Sequence, residues 1–191
     1  MYYRVGGKVM GVLNDYDLSS LASSANPLSN KRTGTIPFMA IDLLKEDGQD
    51  GKVKHLYRHD MESLIYVFIW ISLQYKDGKP LNPGPLDSWA KVDARGFAAK
   101  KMSFLFVGEV PDDTNNYMLV SELMEFLLQE IQTHGRLKRA KVCARVRLIG
   151  ASTETVKDDA RRAMEALDCE LEKEGDEDLY NRFLSRIPSV N

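Results

Sequence analysis

At 191 residues the chain is long enough for one domain with a sizeable core, and no low-complexity linker divides it. Hydrophobic residues make up 43% and charged residues 28%, and 26 Lys and Arg nearly cancel 28 Asp and Glu, so the balance points to neither nucleic acid nor an anionic membrane as a partner. Cys143 and Cys169 stand alone, without CxxC or Cys/His spacing, which suggests neither a disulfide framework nor a zinc site and suits a reducing, intracellular setting.

The opening MYYRVGGKVMGVL has no apolar stretch after a basic start and is not expected to be a secretory signal. It fits a β-hairpin: Tyr2 to Val5 and Lys8 to Leu13 flank Gly6-Gly7, whose glycines tolerate the positive φ of tight turns. The second strand delivers Asn14, Asp15, Tyr16 and Asp17. From Leu18 to Pro37 a run of Ser, Asn, Thr, Gly and Pro reads as a long surface loop. FMAIDLLKE can form a short helix, and DGQDGKVK at 47–54 reads as a flexible insertion.

His59 to Tyr75 is apolar on nearly every side of a helical wheel, which belongs in the middle of a domain. Its longest apolar run, Leu64 to Leu73, is about half of the roughly 20 residues a membrane span needs. Beyond the turn-rich KDGKPLNPGP, helices are expected at about 87–106 and 117–134. The latter carries Val120, Leu123, Met124, Leu127, Leu128 and Ile131 at three- and four-residue spacing. The basic stretch GRLKRAKVCARVR at 135–147 lacks interleaved aromatics and reads as a solvated face. A charged helix follows near 153–173, with Ser152 or Thr153 suited to cap it, and a short one near 176–185. His55, His59 and His134 are too scattered for a metal site and read as surface or packing residues.

Four landmarks stand in a fixed order: a strand ending in LNDYDL, a polar loop, TGTIPFMAID, and RHDMESL leading into the apolar helix. Together they resemble the stretch of a protein kinase from the magnesium-binding loop through the activation and substrate-binding loops to the central helix of the large lobe. DYDLS in place of DFG, GTIPFMAID in place of GTxxYMAPE, and HLYRHDMESLIYVFIWI are similar to the fungal-type protein kinases, and DMES is also similar to the DLES of casein-kinase-one-like enzymes.

The resemblance implies roles residue by residue. Asp15 aligns with the aspartate that chelates Mg²⁺, a hard oxygen ligand for a hard cation. Tyr16 matches the aromatic packed beneath that loop, and Asp17 replaces its glycine, adding a second carboxylate where backbone freedom is lost. Without the downstream motifs, NDYD would read as an Asx-rich turn. Thr33 belongs to the activation loop with Ser23, Ser24 and Ser29, near Lys31 and Arg32, where a phosphate would gain charge-assisted contacts. Thr35 matches the threonine that helps seat substrate. Asp42 matches the glutamate of APE, either in a buried ion pair, for which Arg161 and Arg162 are the suggested partners, or as an exposed helix residue. Asp60 matches the aspartate opening the central helix. There it holds a catalytic loop, stabilises its own helix terminus, or does both.

A Gly-rich loop, a strand lysine paired with a helix glutamate, and an HRDxxxxN catalytic loop are not found in these residues. The expectation is therefore a mainly α chain with a leading β-hairpin: a kinase-like C-lobe without N-lobe or catalytic loop, in which Met1 is an internal position of a longer domain. Residues 1–150 would hold the partial lobe and 151–191 a charged helical tail. Full-length relatives transfer phosphate from ATP to protein Ser or Thr, and Mg²⁺ and ATP are implied for the intact family rather than for this chain alone. The alternative is a pseudokinase-like module that binds a protein partner, and a third reading is a helical scaffold unrelated to kinases. Without the helix that packs on the central one, Ile65, Phe68, Ile69 and Trp70 are expected to lose cover and promote association.

Overall fold

A computed structural model of the protein describes residues 2–6, 8–11, 35–108, 110–112, 114, 116–173 and 177–187. It divides into two units, residues 1–33 and 34–191. In the first, β1 (Tyr2–Val5) and β2 (Lys8–Gly11) pair antiparallel, with Tyr2 opposite Gly11 and Val5 opposite Lys8. Gly6 sits at φ +56°, the left-handed conformation that a two-residue hairpin loop demands and glycine adopts without penalty.

The second unit is built of helices. After a 3₁₀ turn at Ile36–Phe38 come α1 (Ile41–Leu44) and α2 (Glu46–Gln49). The segment FMAIDLLKE thus makes one turn of helix, breaks where Lys45 is extended (φ −72°, ψ 165°), and restarts inside the stretch expected to be a flexible insertion. The central helix α3 spans Tyr57–Gln74. His59, three residues past the helix boundary, reaches back to accept the Leu56 N–H on Nδ1 at 3.1 Å, so an imidazole supplies half of a capping box.

A Tyr75–Lys76/Lys79–Pro80 hairpin (β3, β4) turns on Asp77 and Gly78, both at positive φ. A 3₁₀ turn at Trp89–Lys91 precedes α4 (Ala94–Val107), so the helix expected from residue 87 starts later, where the Asp93 carboxylate accepts the Gly96 N–H at 2.8 Å. Such a cap is worth about 1 kcal/mol.

Helix α5 (Tyr117–Gly150) runs past the expected end at 134 and takes in the whole basic stretch. Its 34 residues span about 51 Å. Gly135 inside it costs about 1 kcal/mol in propensity, which the strong helix formers Arg136, Leu137, Lys138, Arg139 and Ala140 after it offset. Helices α6 (Glu154–Lys173) and α7 (Glu177–Leu184) follow within a residue of expectation. α6 packs along α5, and α7 returns to the core, where Phe183 lies 6.2 Å from Phe126. The boundary drawn at residue 150 falls at the tip of this helical hairpin.

The core gathers Ile65, Ile69 and Leu73 of α3, Leu44 of α1, Phe97 and Leu105 of α4, and Val120, Leu123 and Leu127 of α5. Each such side chain contributes about 1.5–3 kcal/mol by leaving water. Trp89 is buried edge-on to Phe97 and Phe104. Ile65 and Ile69, expected to lose cover, are fully buried, and Trp70 meets the ring of Phe38 edge-on at 5.8 Å. The open positions of α3 are instead Leu64 and Ile71, 54% and 56% exposed, one heptad apart on the face the other helices leave bare. Among the described residues no helix is long and apolar enough to cross a membrane.

Candidate functional site

The short segment between Thr35 and Asp42 is held from two sides. Its residues Met39, Ala40 and Ile41 are buried, yet they carry backbone polar groups that must find partners away from water. Glu62 of α3 accepts the Ile41 N–H on Oε1 at 2.8 Å. Lys101 of α4 donates from Nζ to the Met39 carbonyl at 2.5 Å. The Lys101 ammonium also lies 3.6 Å from the centroid of the Tyr66 ring, a cation–π contact in a site closed to solvent.

The electrostatics follow from burial. Desolvation pushes the Glu62 carboxyl up to about 7, against the Ile41 N–H and the Lys101 charge, which both favour ionisation. Desolvation likewise brings Lys101 down to about 7, against the attraction of Glu62. Burial, then the neighbouring Glu62, keeps the Tyr66 phenol protonated far above its ordinary value.

A second cluster lies one residue further along. The Asp42 carboxylate, 13% exposed, meets Lys138 Nζ at 2.8 Å, Lys45 Nζ at 3.1 Å and the Arg58 guanidinium at 3.4 Å, with His134 Nε2 at 3.5 Å. Burial opposes its charge, but the hydrogen bond and charge of Lys138, then those of Lys45, overcome this and hold the carboxyl well below the usual carboxylate range. His134 is pushed down to about 3 by burial and by the Arg58 and Lys138 charges, so it is neutral at physiological pH. One carboxylate thereby ties α1 to α3 and α5.

Asp42 is therefore not an exposed helix residue. Nor are Arg161 and Arg162 its partners: Arg161 pairs with Glu154 and Asp158, and Arg162 with Asp159, all within α6. Thr35 is exposed at the start of the 3₁₀ turn, its carbonyl accepting the Phe38 N–H at 2.8 Å. Asp60 lies in the first turn of α3, exposed, with Oδ1 2.9 Å from His55 Nε2. Asp15, Tyr16 and Thr33 lie outside the described residues.

Residues 4–72 match the family model of the fungal protein kinases. The fungal kinase match covers 69 of the 191 residues and takes in the end of β1 from Arg4, β2, Thr35, the Asp42 cluster's α1 and α3 members, and α3 as far as Ser72. No curated protein and no solved structure matches the chain. The groups that hold Met39 and Asp42 in place come in part from outside the matched residues, since Lys101, His134 and Lys138 all lie beyond residue 72.

The sequence alone does not single out Glu62, Lys101 or His134 as site residues. A signal exists for Glu62: Arg58, Glu62 and Tyr66 recur every four residues inside an otherwise apolar helix, a polar line on one face. Lys101 offers none, because a lysine in KKMSF has the ordinary look of a solvated position.

Proposed function

We propose that the chain carries the activation-segment and large-lobe part of a fungal-type protein kinase, whose full-length relatives move the γ-phosphoryl of ATP to a Ser or Thr hydroxyl, and that these 191 residues do not perform the transfer by themselves. What supports the reading is the family match over 4–72 together with the anchoring of Met39 to Asp42 on α3, α4 and α5. A substrate-seating loop must be held rigidly, since positioning supplies most of the rate in phosphoryl transfer. Here the backbone just after Thr35 is fixed at the Met39 carbonyl and the Ile41 N–H, leaving Thr35 itself at the surface.

Mg²⁺ with ATP would supply charge neutralisation at the phosphates, through Asp15 with Asp17 close by. Asp15 and Asp17 lie outside the described residues, and the second ligand that an HRDxxxxN loop would bring is not among the motifs of this sequence. The second reading, a non-catalytic module that binds a protein partner, is favoured by the bare Leu64 and Ile71 on α3.

The test is titration calorimetry with Mg²⁺ and ATP, run beside a phosphate-transfer assay on a general protein substrate and an Asp15→Ala control. The wild-type chain is expected to transfer nothing, and any Mg²⁺-ATP binding to vanish in Asp15→Ala. Transfer by the wild-type chain would overturn the non-catalytic assignment, and nucleotide binding that survives Asp15→Ala would remove Asp15 from the metal role.

A further inference from the structure

Two surfaces of the helical unit are complementary to one another. One is an open groove of about 470 Å³ where α4 ends and α5 begins, with Leu105, Val110, Met124 and Leu128 along it and the carboxylates of Asp112 and Glu125 exposed at its edge. Phe106, Val107 and Met118 are exposed beside these residues in the sequence, so the apolar surface extends past the groove. The loop carrying Asp112 also has Glu109 and Asp113 in its sequence and no Lys or Arg.

The other surface is the distal half of α5. Val142, Val146 and Ile149 are 60%, 63% and 78% exposed, and their four- and three-residue spacing sets them on one face over two turns, about 10 Å along the axis. Between Gly135 and Gly150 there is no Asp or Glu, while Arg136, Lys138, Arg139, Lys141, Arg145 and Arg147 are all there. Lys138 and Lys141 are engaged by Asp42 and Asp168. The four arginines meet no carboxylate among the described residues, in contrast to Arg161 and Arg162 on α6, which both do. Arg139 and Arg145 stand within a turn of Val142 and flank the apolar stripe.

An apolar stripe edged with arginines that meet no carboxylate among the described residues fits an apolar groove edged with exposed carboxylates, and both belong to one chain. We propose that the α5 stripe of one copy docks in the α4–α5 groove of a second copy. The contact is heterologous: each copy presents one stripe and one groove, so association continues head to tail unless a ring closes. A nucleic acid would take the arginines but leave Val142, Val146 and Ile149 bare. An anionic membrane would want larger side chains than valine at the inserted face.

The experiment is sedimentation velocity on the full chain and two variants. Val142→Asp with Val146→Asp removes the stripe, and Asp112→Arg with Glu125→Arg removes the groove; all four positions are exposed, and circular dichroism checks the helix content of each variant. Wild-type chain is expected to form species larger than a dimer as concentration rises, and to associate roughly tenfold more weakly at high salt than at low salt, because the facing charges are exposed and screened. Each variant alone is expected to be monomeric. Mixed, they are expected to form a 1:1 complex and nothing larger, since only one stripe and one groove remain. A wild-type chain that stays monomeric, variants that assemble as wild type does, or a mixture that yields no 1:1 complex each overturn the proposal.

Discussion

Replacing Glu62 by Gln tests whether the buried carboxyl that anchors Ile41 is a neutral acceptor or a charge. The carboxyl is buried and ionises at about 7 instead of 4.5. A displacement of that size disfavours the folded state by about 3 kcal/mol once the group is charged, at about 1.4 kcal/mol for each pH unit. The sign follows from the raised value: the contribution of Glu62 to stability is full below 4.5 and is lost as pH rises to about 7. Gln keeps the shape and the oxygen that accepts the Ile41 N–H and cannot ionise. The variant should match wild type within about 1 kcal/mol near pH 5 and exceed it by about 2–3 kcal/mol near pH 8. Lys101 loses the attraction of Glu62 in the variant, so its own titration moves further down. Urea unfolding followed by circular dichroism reads both values, with an unchanged m-value as the check on mechanism. A Glu62→Gln chain weaker than wild type by a similar margin at both pH values would refute the reasoning, because it would mean the site needs a carboxylate throughout.

Asp42→Asn leaves Arg58 and Lys138 facing a neutral amide and should cost about 2 kcal/mol near neutral pH, measured by denaturant titration. Because the folded carboxyl is held below its ordinary 3.8, that stability is present above 3.8 and lost as the pH falls below it, so variant and wild type should converge in acid. His134, pushed down from 6.5 to about 3, should show no imidazole titration by NMR between about pH 8 and about pH 5. Its lowered value makes the fold lose stability as pH drops from 6.5 toward 3, and an imidazole that titrates near 6.5 would place it in water rather than against Arg58 and Lys138.

Much of the helical framework is legible in the residues, and the departures have physical causes. The apolar face of 117–131 sets the first half of α5, but nothing in that periodicity says whether the helix stops at His134. The continuation is decided by propensity, since Arg, Leu, Lys and Ala are strong helix formers and a lone Gly135 is a tolerable interruption. In α3 the all-round apolarity marks burial but not which side is left open, because that depends on where α4 and α5 cross it. The site is less legible than the fold. Asp42 is marked by its place after PFMA, whereas its partners Arg58, His134 and Lys138 lie 16, 92 and 96 positions away and meet it only once α1, α3 and α5 are packed. Lys101 is the extreme case, a residue type almost always solvated that is here buried because a backbone carbonyl and an aromatic face replace its water.

Cutting the chain after Gly150 examines whether its last forty-one residues belong to the fold of the rest. Composition sets them apart, since α6 is strongly charged and follows the last residue of α5 by only a short connection. Packing does not: Leu179 and Phe183 of α7 are buried in the same core as Ile65 and Leu127, and Arg182 pairs with Glu130 of α5 through its guanidinium. Losing two buried apolar side chains withdraws about 3–6 kcal/mol of burial, to which the exposed ion pair adds little. A domain of this size commonly holds only about 5–15 kcal/mol in total. Residues 1–150 are therefore expected to unfold at a markedly lower denaturant midpoint or to fail to fold, and Met61 and Phe126 beneath α7 to become accessible. A truncated chain with the midpoint of the full one would mean that α7 rests on the core without contributing to it. Met39 and Asp42 would then depend, beyond the matched residues, on α4 and α5 alone, through Lys101, His134 and Lys138.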